Sequence, residues 1–199
     1  MPSVPSARPS FLESCQDFIR AVQQEAKSYA GFRAALARSA GRIGEPSVDA
    51  LFAFSSVWPK FSHLIGPSHR STAFRVAAMS CMKTGGGDGK PHPFIEALRL
   101  CYWKRKLSSS QIDERMRKDF LLLFHGASSE TVFFRHLYRR ISMILHEGIS
   151  IDFGKLLQDI IFLIGSSRKA RQMTETQWVE SYFSWQDKPA KEDVSKGKE

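Results

Sequence analysis

Residues 112–164 read IDERMRKDFLLLFHGASSETVFFRHLYRRISMILHEGISIDFGKLLQDIIFLI, and the period of their apolar residues decides the fold class. At about 100° of turn per residue, Phe133, Phe134, Leu137, Ile141, Ile144 and Leu145 share one stripe of a helix, while Arg135, Arg139 and His146 point the opposite way. Ser129 is placed to cap this helix and Gly148 to end it. The helix before it, opened by Ser108, Ser109 or Ser110, carries Ile112, Met116, Phe120 and Leu123 on its inner face. The helix after it runs from Phe153 to Ile164, with Asp152 as cap and Gly165 as stop.

Outward from this stretch the same period persists. Phe11, Leu12, Cys15, Phe18, Ile19 and Val22 step by three and four in a first helix. Shorter helices are predicted over 31–40, over 48–57 behind Ser47 and before Pro59, over 72–82 and over 94–103. A last one opens at Ser166 or Ser167 and runs to about residue 185. No strand-type alternation of useful length and no internal repeat is present. The expectation is an all-α chain, a compact bundle of eight or nine helices. Residues 1–10 read as a flexible N-terminus, 11–186 as the helical domain, and 187–199, rich in Lys, Asp, Glu, Ser and Gly, as a disordered charged tail.

Charge is the informative part of the composition. The 199 residues carry 29 Lys and Arg against 20 Asp and Glu, a formal net charge of +9. Residues 51–107 supply most of the excess, because their only acids are Asp88 and Glu96. Lys60, Arg70, Arg75 and Lys83 therefore have no carboxylate three or four residues away, and neither do Lys104, Arg105 and Lys106. Arg99 lies in the same cation-rich stretch. Unpaired surface cations in such number point to an anionic partner, nucleic acid above all. Further along, Asp113–Arg117, Glu114–Lys118 and Arg115–Asp119 are spaced as neutralising pairs, each worth about 0.2–0.5 kcal/mol. Arg135 and Arg139 have no such partner, and one turn of helix (~5.4 Å) between them is compatible with a phosphate repeat.

Several function classes are excluded or disfavoured. Three dispersed cysteines give no disulfide framework or zinc module and fit a reducing cytosol. No apolar run exceeds five residues, Ile160–Ile164 among them, far short of the ~20 residues that cross a bilayer, and residues 1–10 contain no export signal. Gly85-Gly86-Gly87-Asp88-Gly89-Lys90-Pro91 ends in proline where a phosphate loop needs Ser or Thr, so it reads as a linker. The six histidines have no metal-ligand spacing, and no nucleophile motif is present. No catalytic residue, metal or cofactor is expected.

The sequence resembles the CasB family, the small helical subunit of the type I-E CRISPR surveillance complex Cascade. The likeness rests on the stretch from Glu114 to Gly165 quoted above, on "SRKARQMTETQWVESYF" after it, and on "SHRSTAFRVAAM" followed by a Gly-rich break. It spans about residues 31–183. The resemblance implies a non-catalytic cytoplasmic protein, present as two copies beside other Cascade subunits. It implies contacts with CRISPR RNA, target DNA and the displaced strand that stabilise the R-loop. Arg70, Arg115, Arg135, Arg168 and Lys169 match basic positions of the family pattern, and with Arg75, Lys83, Arg99 and Arg139 they form the expected nucleic-acid surface. Two rival readings are a helical adaptor that docks an acidic protein, and a nuclease whose site has no familiar motif.

Overall fold

Asp152 accepts a hydrogen bond from the Lys155 backbone N–H at 2.9 Å and so starts the helix around which the others assemble. The computed structural model describes residues 9–42, 46–83 and 89–184. Its helices are α1 (Phe11–Ser28), α2 (Ala30–Ala40), α3 (Val48–Val57), α4 (Ser62–Ile65), α5 (Arg70–Ser80), α6 (Phe94–Lys104), α7 (Ser109–Gly126), α8 (Glu130–His146), α9 (Phe153–Ile164) and α10 (Arg168–Phe183). The bundle is all-α, with no strand among the described residues. The predicted tail at 187–199, most of the predicted N-terminal segment and Thr84–Asp88 of the glycine-rich loop lie outside those residues.

The cap chemistry follows the sequence. Ser10 and Glu13 form a reciprocal capping box on α1, and Ser108 and Gln111 form one on α7. Ser47 and Ser167 cap α3 and α10. Ser129 occupies the cap position of α8 without a side-chain bond. Gly148 takes φ +72°, the left-handed residue that ends α8. Residues 58–69, where no periodicity was legible, fold as the single turn α4 between two 3-10 turns, Trp58–Lys60 and Pro67–His69, each begun near a proline.

α9 is the axis. Leu156, Leu157, Ile160 and Leu163 are buried, and α1, α5 and α10 pack around them. Each such side chain contributes about 1.5–3 kcal/mol by leaving water. α1 crosses α9 so closely that a Cβ at Gly154 would lie 2.7 Å from Gln16 Cα. α7 and α8 form a hairpin that packs on α6. The loop before α6 is tied down at its end. His92 N–H donates to Ser150 O at 3.0 Å and Asp152 N–H to His92 O at 2.8 Å, a one-residue parallel bridge to the α8–α9 turn.

Candidate nucleic-acid interface

On α7, only one of the three expected neutralising pairs forms. Glu114 meets Lys118 at 2.6 Å, and both are exposed. Its carboxyl is held below the usual range by Lys118 first, with Arg115 and Arg117 adding to the effect. Asp119 instead faces the interior, 2% exposed, where it accepts from the Tyr102 hydroxyl and from Arg140 Nε at 2.6 Å. Asp113 accepts from the Tyr182 hydroxyl. Buried phenols need acceptors, and these two carboxylates provide them. Arg115 and Arg117 are left exposed and form no salt bridge among the described residues, beyond their longer-range pull on Glu114. The expected Arg115–Asp119 pair is therefore corrected: Asp119 ties α6, α7 and α8 together.

On α8, Arg135 and Arg139 are exposed and without an acid partner among the described residues, while Arg140 turns to Asp119. His136, between them, is held below its usual pKa by burial first and then by Arg139, Arg140 and Arg135. Its imidazole thus registers a positive field along this face. Arg115 stands on α7 and Arg135 and Arg139 on α8, the two arms of the hairpin, and all three are exposed.

A second group gathers at two helix starts. Arg70 is the first residue of α5, and Arg168 and Lys169 are the first two of α10; neither helix has an acid in its first turn. The positive end of a helix favours anions, so cations there raise the local potential further. His69, Ser166, Ser167 and Ala170 line one groove of about 310 Å³, while Arg70 itself lines a separate one with Arg42 and Arg75. Arg70 Nη2 also donates to Ser55 Oγ at 3.3 Å.

Two expected surface cations are engaged within the fold. Arg75 Nε lies 3.5 Å from Glu130 Oε1, and its guanidinium sits 5.0 Å from the Phe134 ring centroid. The acid that its own helix lacks comes from α8. Arg99 Nη1 donates to Tyr182 O at 2.9 Å and its guanidinium stacks over the Tyr182 ring at 5.2 Å, which docks α10. Lys83 is exposed just beyond α5.

Sequence reasoning discounted Arg117, whose nominal partner Asp113 is turned to Tyr182. It also passed over Trp103, which is 65% exposed beside Lys104 and Lys106. A signal for Trp103 was present, because it falls outside the α6 stripe of Phe94, Leu98, Cys101 and Tyr102. Among the described residues no group of three His, Cys, Asp or Glu side chains is arranged to hold a metal ion.

The family model for CRISPR-associated protein Cse2 matches residues 32–183, which run from α2 to the last residue of α10. The chain belongs to the Cse2 family. Cse2 is the CasB family that the sequence patterns resemble, and membership implies a subunit of a CRISPR Cascade complex. Cse2 proteins are structural Cascade subunits. In this Cse2 chain no helix among the described residues is long and apolar enough to cross a membrane. Neither the curated proteins nor the solved structures contain a match to it.

Proposed function

We propose that this Cse2-family chain grips the sugar-phosphate backbones of CRISPR RNA, target DNA and the displaced strand, and so stabilises the R-loop without catalysing a reaction. The observation that carries this reading is the set of exposed guanidiniums on α7 and α8, Arg115, Arg135 and Arg139, which form no salt bridge among the described residues. Arg70, Arg168 and Lys169 extend the surface at the two helix starts, and Lys83 adds a cation beyond α5. Arg75 and Arg99 support it indirectly, by holding α5 and α10 in place. Base pairing supplies sequence specificity in such machines, and exchange of a DNA duplex for a heteroduplex is nearly balanced, so a few backbone contacts tip it.

A protein contact is supported as well. Leu121, Leu122 and Val132 are exposed around a groove of about 490 Å³ between α7 and α8. An apolar groove of this kind fits a neighbouring Cascade subunit or a second copy of the chain, in the cytoplasmic assembly the family implies.

The test is binding of labelled single strands and of a preformed R-loop across a salt series. Affinity should fall linearly on a log–log plot, with a slope of about −0.7 to −0.9 per phosphate neutralised. Arg135→Glu with Arg139→Glu should flatten that slope. A salt-independent affinity, or one untouched by the double reversal, overturns the reading.

A further inference from the structure

At the junction of α6 and α7 a tryptophan stands in the open among cations. Trp103, 65% exposed, makes no ring contact with any described residue. It lines an open groove of about 580 Å³ together with Lys104, Lys106, Leu107, Ser108 and Gln111, and no carboxylate borders that groove. The junction is built to hold its shape. Arg105 Nε meets Glu147 Oε1 at 2.8 Å and Lys104 Nζ donates to Glu147 O at 3.2 Å, which fastens the turn to the end of α8. Lys106 takes φ +57°, the one left-handed non-glycine among the described residues, a conformation that L-residues rarely adopt. Ser108 and Gln111 are spent on each other's backbone N–H groups.

A large apolar ring held out of the core, flanked by ammonium groups, is the pairing that binds single-stranded nucleic acid. The ring stacks an unpaired base and the cations take the adjoining phosphates. A duplex keeps its bases stacked on each other and has no face to offer. We infer that Trp103, with Lys104 and Lys106, is a stacking platform for an unpaired base of a single-stranded nucleic acid. This inference rests on the chain being a nucleic-acid-binding subunit, and it names where and how an unpaired strand is held.

The experiment is a tryptophan-fluorescence and anisotropy titration of the full chain with oligo(dT), oligo(rU) and a DNA duplex of equal length. The variants are Trp103→Ala, Trp103→Phe and Lys106→Ala, each first checked for an unchanged far-UV spectrum and Tm. Oligo(dT) should quench the emission of the wild-type chain, and Trp103→Ala should weaken its binding by about fivefold to a hundredfold. Trp103→Phe should recover part of the affinity while the quenching disappears, and Lys106→Ala should lower the salt slope. Salt-dependent binding that Trp103→Ala leaves unchanged overturns the stacking site alone. Equal quenching by duplex overturns the assignment to an unpaired strand, whichever of oligo(dT) and oligo(rU) binds better. A wild-type chain that binds none of the three probes at low salt overturns both this site and the backbone-binding reading.

Discussion

Trp178 Nε1 donates to the buried carboxylate of Asp159 at 2.9 Å, tying α10 to α9. Lys155 Nζ reaches the other oxygen at 2.8 Å. Burial raises the Asp159 pKa above the usual aspartate value, against the opposing pull of Lys155 and Trp178. As pH falls, the folded chain therefore takes up this proton before the unfolded chain does, and folding is favoured. The stability of the wild type relative to Asp159→Asn should rise as pH drops from neutral towards the unfolded value of about 3.9. Urea unfolding of both proteins across that range checks it, and a pH-independent difference contradicts it.

Gly154→Ala sets two effects against each other. Helix propensity favours alanine by about 1 kcal/mol. The new Cβ would stand 2.7 Å from Gln16 Cα, where backbone has to give way, at about 1–3 kcal/mol. Crowding should win, so a lower denaturation midpoint is expected, and a raised one would show that α1 and α9 move apart freely.

Arg75 and Arg135 separate structure from binding. Arg75→Ala removes the contacts to Glu130 and Phe134 and should cost about 1 kcal/mol of stability, with the salt slope of nucleic-acid binding unchanged. Arg135→Ala should leave Tm within error and reduce that slope by about one. Thermal melts and a salt titration on the same preparations decide between the two roles.

The thiols of Cys15, Cys81 and Cys101 are buried, and burial pushes their pKa values up to about 12, 11 and 11. The native chain should therefore react slowly with a thiol reagent at neutral pH, and all three groups should become reactive in denaturant. A fast-reacting native thiol would contradict the packing around α1, α5 and α6.

The bundle was legible because its apolar residues repeat at helical spacing and its stops and caps are local. α8 and α9 begin and end where Ser129, Gly148, Asp152 and Gly165 place them. Residues 58–69 were not legible, since one-turn helices are too short to show a period. At the candidate interface, Arg135 and Arg139 are exposed, as unpaired spacing indicated. Arg75 lacks an acid on its own helix, but Glu130, 55 positions away on another helix, supplies one. The Arg115–Asp119 spacing does not give a pair, because the Tyr102 hydroxyl and Arg140 claim Asp119. Local spacing describes pairs along one helix, and tertiary packing redistributes the acids.

The junction at Asp119, where Tyr102 and Arg140 converge, has a kinetic corollary. It ties α7 to α6 and α8, so on the backbone-binding reading proposed above the charges on their outer surfaces keep a fixed pitch before any strand arrives. The entropy lost on engagement then falls on the strand, and a limp polymer bears more of it than one already stretched by an opened duplex.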